Sequence, residues 1–429
     1  MASHLPIGID FGTTNSAIAF THPDHTVSLV EFPYRATTSR SVLYAEQERT
    51  TTRRHTHIYT GTSAIEHYLA ASDDLDHETN RRFIQSLKSQ LSARNLTGTE
   101  IFGRQYRFED LIAKILTDLR AHASAALGFD VTNAVIGRPV NFVGASTEAD
   151  NDFAEERLHQ SLLQAGFTNI HFAMEPVAAA YAAEQHTPTN GLLLIGDFGG
   201  GTTDFSLLRI RNGQREVLGS TGVGIAGDAF DARIVRYLIA PALGSDSMAR
   251  SLGKLLPALP AWIYANLERW HTLSFLKTRD VTNLLRTTQQ RALEPEKIAA
   301  LATIVDHDLG FLLHQSVQRL KLDLTAHEQA DFLLDTDPLR LEQPVQRSTF
   351  EQWIAPELTL MAKTLDELFT QTQTAPHEVD SVFLTGGTSL VPAVRRIFTS
   401  RFGESRVHSG GVLTSVSNGL ALIAAERLT

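Results

Sequence analysis

The chain has 429 residues, of which 42% are hydrophobic and 20% charged, with no cysteine and a formal net charge of −10. That length predicts roughly two to three domains, each able to bury a core. A disulfide framework, a zinc–thiolate site and a cysteine nucleophile are excluded, and the acidic balance argues against general nucleic-acid binding, which needs clustered Lys and Arg.

No run of about 18 apolar residues is present to span a bilayer. The N-terminus has no basic stretch leading into a long apolar one, so the chain reads as cytoplasmic, with no membrane partner. The seventeen histidines are scattered without an HExxH or similar zinc spacing.

In chain order, LPIGIDFG, SAIAFT and TVSLVEFP are apolar runs separated by turn residues such as His22-Pro23-Asp24. Short turns between strands predict an antiparallel meander. Arg53 and Arg54, flanked by His55 and His57, read as a solvated surface loop. A short helix is predicted from about Ser63 and a longer one through RRFIQSLKSQLSA, residues 81–93. FEDLIAKILTDLRAHASAAL is a helix with Leu111, Ile115 and Leu119 on one face. VTNAVIGRPV is an apolar strand stopped by Pro139. FAEERLHQSLLQAGF is a helix ending at Gly166. IHFAMEPVAAAYAAEQH reads as strand, turn and helix, with Glu175-Pro176 at the helix start.

The polar stretch from His186 to Gly191 marks a boundary between two halves. Beyond it, GLLLIGDFG, TTDFSLLRIR and REVLGSTG repeat the meander. A helix-rich block from about Asp228 to Thr325 carries Trp262 and Trp270, and a polar strand-like stretch follows. DSVFLTGGTSLVPAVRRIF reads as strand, glycine turn and helix, and SVSNGLALIAAERL as a last helix.

GIDFGTTNS (residues 8–16) and GDFGGGTTDFS (196–206) repeat one pattern: strand, Asp-Phe-Gly, hydroxyl residues, strand. Glycines in such a turn let backbone N–H groups approach an anion, and threonines add hydroxyl donors. Two such loops facing each other would clamp a polyphosphate. Asp10 and Asp197 would then share one space, an arrangement that suits Mg²⁺, a hard cation preferring oxygen ligands. Asp-Phe-Gly is also a kinase triplet, but HRD is missing here. Gly222 to Gly227 matches GxGxxG without a βαβ continuation.

These motifs resemble the actin-like ATPase superfamily, and within it the nucleotide-binding region of the DnaK-type heat shock protein 70 family, closest to its short YegD-like branch. The two repeated loops are similar to the family's two phosphate loops. MEPVAAAYA is similar to its connecting helix, TGVGIAGDAFD to the segment after the second loop, and LTGGTSLVPAVRR to its adenosine loop. The resemblance implies an α/β fold: a two-lobed actin-like ATPase built on a duplicated, ribonuclease H-like β-meander plus helices, with a nucleotide cleft between the lobes. It implies lobe I over 1–188 with a C-terminal helix at 406–429 returning to it, and lobe II over 189–405 with a helical insertion at about 228–325. No C-terminal peptide-binding domain is expected.

The resemblance further implies ATP or ADP with Mg²⁺ as bound groups. Asp10 and Asp197 would hold the metal through its waters. Gly12, Thr13, Thr14 and Asn15 would form one phosphate loop, and Gly199, Gly200, Gly201, Thr202 and Thr203 the other. Lys88 would touch the γ-phosphate and the attacking water, with Glu175, Asp204 and Thr202 positioning that water or the metal shell. Gly227, Asp228, Lys321, Thr325, Gly386, Gly387 and Thr388 would complete the nucleotide site. The pattern departs from the family at Gln318, Leu322, Leu390 and Ala226-Gly227-Asp228. Bland alternatives are a surface lysine at Lys88, a helix cap at Glu175 and a solvated charge at Lys321.

The leading expectation is an ATP-binding, slowly ATP-hydrolysing chaperone-like protein, with unfolded-protein clients or a nucleotide-exchange factor as partners. A nucleotide-binding scaffold without turnover, a sugar-type kinase and a filament-forming ATPase of the same superfamily are the alternatives.

Overall fold

The structure, a computed structural model, describes residues 5–49, 54–72, 80–183, 190–212, 214–251, 253–268, 276–307, 309–410 and 414–428. Strands β1 (Ile7–Phe11), β2 (Asn15–Thr21) and β3 (Val27–Leu29) form the expected antiparallel meander, and β4 (Ser39–Arg40) pairs with β2. A separate sheet follows, ordered β6-β5-β7, from β5 (Val42–Arg49), β6 (Arg54–Thr60) and β7 (Asn80–Gln85), with α1 (Gly61–Ser72) inserted.

This small sheet corrects two expectations. RRFIQSLKSQLSA is not a helix. Arg81 to Gln85 pair with β5, Ser86 turns left-handed at φ 59°, and only Leu87–Gln90 form a 3₁₀ turn. Long-range ladder bonds override a weak local helix preference there. His55 and His57 are exposed as expected, but on edge strand β6 rather than in a loop. Arg53 lies outside the described residues.

A hairpin of β8 (Gly98–Ile101) and β9 (Arg104–Arg107) leads into α2 (Phe108–Leu127), where Leu111, Ile115 and Leu119 are all buried. β10 (Asn133–Arg138) joins β1 in parallel and stops at Pro139. α3 (Glu148–Gln164) ends two residues before Gly166, and β11 (Asn169–Met174) and α4 (Glu175–Ala182) follow.

Of the polar boundary stretch, residues 186–189 lie outside the described residues. β12 (Asn190–Phe198), β13 (Thr203–Arg211) and β14 (Gln214–Val223) then repeat the meander. α5 (Gly227–Ile234) runs through a π-helical segment, Val235–Ile239, into α6 (Ala240–Ala242). Next come hairpin β15 (Met248–Ser251) and β16 (Lys254–Pro257), then α7 (Ala261–Leu267), α8 (Arg279–Gln289), α9 (Pro295–Asp306) and α10 (Gly310–Ala326). Trp262 is about half exposed, at 49%; Trp270 lies outside the described residues. The polar stretch is the hairpin β17 (Gln329–Asp335) and β18 (Arg340–Gln346). α11 (Arg347–Trp353), α12 (Ala355–Thr372), β19 (Ser381–Thr385), α13 (Pro392–Phe402), β20 (Val407–Ser409) and α14 (Ser415–Leu428) complete the chain.

The two large sheets share one strand order: β3-β2-β1-β10-β11 in the first and β14-β13-β12-β19-β20 in the second. In each, three meander strands are followed by two parallel additions. The return expected from residue 406 starts later, because Val407–Ser409 pair with β19 in the second sheet. α14 is the segment that goes back, packing on α4 and on β1, β2 and β10.

α4 and α14 share a core with strands of both sheets. Ala178, Ala179, Leu420 and Ile423 meet Leu193, Ile195 and Phe383. The alanine run in α4 lets the two helices lie close together. A Cβ on Gly419 would overlap the Ala178 carbonyl, which is backbone and has no room to yield. Gly419→Val is therefore expected to destabilise the fold by about 1–3 kcal/mol, read as a lower denaturation midpoint, because overpacking forces the helices apart. An unchanged midpoint would refute this contact as a stability determinant.

Candidate active site

The two repeated motifs place equivalent residues at equivalent strand ends. Asp10 is the fourth residue of β1, and Asp197 precedes the last residue of β12. Asp197 stands opposite Asp204 on β13 and beside Thr385 on β19. Asp10, Asp197 and Asp204 are all partly buried. The second loop is closed by a Gly199 N–H donating to the Thr202 carbonyl at 2.9 Å, and Asp228 N–H donates to the Gly200 carbonyl at 2.8 Å. A Cβ on Gly200 would overlap the Thr14 hydroxyl and come within 3.4 Å of Asp228 Oδ1. Glycine is what lets the two loops meet there.

Lys88 enters from the turn after β7, not from a helix. Its Nζ donates to Glu175 Oε1 at 2.7 Å, with the two side chains 10% and 14% exposed. Neither residue is thus a surface charge, and Glu175 at the start of α4 does more than cap its helix. Lys321 is likewise no solvated charge. Its Nζ sits 2.6 Å from Asp231 Oδ1 and donates to the Gly227 carbonyl at 3.1 Å.

Crowding of acids sets the electrostatics. Removal from water, then the charges of Glu175 and Asp197, push Asp10 up to about 7. Removal from water, then Glu175 and Asp204, push Asp197 up to about 7. Asp204 rises to about 7 through removal from water and Glu175, partly offset by a hydrogen bond from Thr202. Removal from water disfavours the charged Lys88, yet Glu175 and Asp10 outweigh it and hold its pKa above the ordinary lysine value. The result is an acidic floor with one ammonium group in it, an arrangement suited to a cation.

These residues line one cavity of about 430 Å³ between the two sheets. Asp10, Gly12, Thr13, Thr14, Asn15, Lys88, Glu175, Asp197, Gly199, Gly200, Gly201, Thr202 and Asp204 line its floor and loops. Gly227, Asp228, Lys321, Thr325, Gly386, Gly387 and Thr388 line it too, with Gln318, Leu322 and Leu390. Thr203 does not reach it. That residue is fully buried, and its hydroxyl donates to the Ile225 carbonyl at 2.7 Å. Its position as the first residue of β13 turns it away from the loop. Sequence motifs also missed residues that line the cavity. Arg40 and Asp231 carry charge, and Pro139, Asn141, Phe142 and Val143 follow β10. Pro139 was legible only as a strand stop; Arg40 and Asp231 stand outside every repeated motif.

A family model described as Hsp70 protein matches residues 6–248 and 306–425. The unmatched stretch between them contains β16, α7, α8 and nearly all of α9. The chaperone protein DnaK of Thermosipho melanesiensis is 25% identical over 425 residues, 98% of this chain and 59% of the relative. That of Thermotoga maritima is 26% identical over 425 residues, again 98% and 59%. That of Deinococcus deserti is 25% identical over 422 residues, 97% and 59%. The chain thus spans about 59% of the length of these relatives. With a family model matched over most of its length, the chain belongs to the Hsp70 family, whose members have a two-lobed actin-like ATPase fold.

Proposed function

We propose that this chain binds ATP with Mg²⁺ in the cleft, hydrolyses it slowly, and converts the nucleotide state into lobe opening and closing as a chaperone-like protein. The observation that carries the reading is the Lys88–Glu175 pair at 2.7 Å, set among Asp10, Asp197 and Asp204 and between two glycine-threonine loops.

The donor set fits the metal. Among the described residues, no three acidic or histidine side chains converge closely enough to ligate one ion alone. Mg²⁺ commonly keeps several waters and takes one or two carboxylates plus substrate phosphates, which matches Asp10 and Asp197 acting through water. When bound, it would neutralise charge on the phosphates. The loop N–H groups and the hydroxyls of Thr13, Thr14 and Thr202 hold the phosphate chain. Lys88 fixes a water near the γ-phosphoryl group. That water's oxygen bonds to phosphorus as the bridging oxygen leaves with ADP, and a carboxylate of the acid group takes the proton. Catalysis is then positioning and charge compensation, with no covalent intermediate.

The same reading makes the matching strand orders two copies of a ribonuclease H-like unit, lobe I up to residue 188 and lobe II from 189. α14 belongs to lobe I, so α4 and α14 are the hinge layer. Unfolded clients, an exchange factor and a cytoplasmic setting are proposed with it; among the described residues no helix is long and apolar enough to cross a membrane.

Calorimetric titration of Mg·ATP, with single-turnover phosphate release followed in parallel, tests the proposal. One bound nucleotide and slow release are expected. Absence of binding to ATP and to GTP would overturn it. Binding without release would leave the nucleotide-dependent scaffold.

A further inference from the structure

Arg40 lies on β4, directly opposite Asn15 of the first phosphate loop, and the next residue's N–H donates to the Thr14 carbonyl at 3.0 Å. Its backbone is thereby tied to lobe I. Its side chain crosses the cleft: Nη2 donates to Gln318 Oε1 on α10 at 3.2 Å. Arg40 borders both the 430 Å³ cavity and a second one of about 560 Å³ that opens beside Thr13, Thr14 and Gly201.

The other cations lining these cavities are paired with carboxylates. Lys88 has Glu175 at 2.7 Å, Lys321 has Asp231 at 2.6 Å, Arg233 has Glu357 at 2.7 Å and Arg236 has Glu268 at 2.8 Å. Arg40 has no carboxylate within 4.0 Å among the described residues. Its hydrogen-bond partner there is a neutral amide. A guanidinium carries five N–H donors in a planar fork, and withdrawing one from water without a counter-charge is unfavourable. Removal from water pulls the Arg40 pKa below the usual arginine value, which Asp228 and Asp231 only partly offset. Unused donors, a partly buried charge and a place beside both glycine loops suit an anionic oxygen acceptor.

We infer that Arg40 is a phosphate-binding residue: the phosphate oxygens of a bound nucleoside di- or triphosphate take the guanidinium donors that the protein leaves unused, while Gln318 holds the edge of the fork from the opposite lobe. The inference rests on the nucleotide reading above. It assigns lobe I a cation that reaches over the phosphate chain to lobe II, so an occupied cleft is tied across its top as well as at its floor.

Titration of Mg·ADP and of adenosine into wild type, Arg40→Ala, Arg40→Lys and Gln318→Ala tests it. Arg40→Ala is expected to weaken Mg·ADP about 10- to 100-fold, as for loss of a charge-assisted hydrogen bond. Adenosine, which has no phosphate, keeps its affinity. Arg40→Lys recovers part of the loss, since it restores charge but not the fork, and Gln318→Ala costs less than Arg40→Ala. Unchanged Mg·ADP affinity in Arg40→Ala overturns the inference. So does a parallel loss of adenosine, which would mean that Arg40 only shapes the cleft. Wild type binding neither compound would instead sink the nucleotide reading, and this inference with it. Thermal melting of Arg40→Lys checks that the fold is intact.

Discussion

Lys88→Met is expected to slow phosphate release by about 100- to 1,000-fold, the range typical of removing one group that stabilises charge in the transition state. Lys88 is the ammonium group set among Glu175, Asp10, Asp197 and Asp204. Without it the acids repel one another and any phosphate more strongly. Two effects must be separated, because breaking a partly buried ion pair also destabilises the fold by about 3–5 kcal/mol in the fully buried limit. The double variant Lys88→Met/Glu175→Gln removes both charges. It is expected to regain most of the melting temperature while turnover stays lost. If the double variant regains turnover along with stability, Lys88 is a structural residue and the proposed mechanism is wrong.

The two repeated glycine loops were legible because they combine three local signals in one order: an apolar strand, an aspartate at its end, and a glycine turn with hydroxyls. Duplication made that order improbable by chance. The β-meanders were legible for the same reason, since short turns between apolar runs leave few alternatives. The segment around Lys88 was not. RRFIQ looks helical by composition, and only the ladder to β5, supplied by residues about 40 positions earlier, makes it a strand. Thr203 looked like one more loop hydroxyl, but a residue at the head of a strand points to the face that alternation dictates. Arg40 falls outside any motif and Asp231 closes TGVGIAGDAFD without a signal of its own; the meaning of both comes from a cleft that exists only once the two halves have folded together. Site chemistry within one loop can thus be read from neighbours in sequence, whereas charge balance across the cleft cannot.

That charge balance leads to the second large effect, a pH dependence of metal–nucleotide binding. Asp10, Asp197 and Asp204 are each pushed up from 3.8 to about 7. Between those values the folded chain holds protons that the unfolded chain has lost. These three groups therefore contribute most to the stability of the free protein below pH 4, and this contribution falls away as pH rises through about 7. Mg²⁺ needs the ionised carboxylates, so its binding releases protons and Mg·ATP affinity should fall below pH 7, about tenfold per pH unit for each proton displaced. Asp197→Asn removes one acid from the group. It is expected to raise the melting temperature of the nucleotide-free protein at pH 8, to lose that gain near pH 4, and to weaken Mg-dependent ATP binding about 10- to 100-fold. Thermal melts across pH, and titrations of ATP with and without Mg²⁺, read all three. A substitution that lowers the melting temperature at pH 8 and leaves the magnesium dependence intact would mean that Asp197 is held by structural partners. The strain of like charges gathered for a cation would then have to be sought elsewhere in the cleft. Stabilisation together with lost metal dependence is the paired outcome that a merely structural aspartate cannot produce.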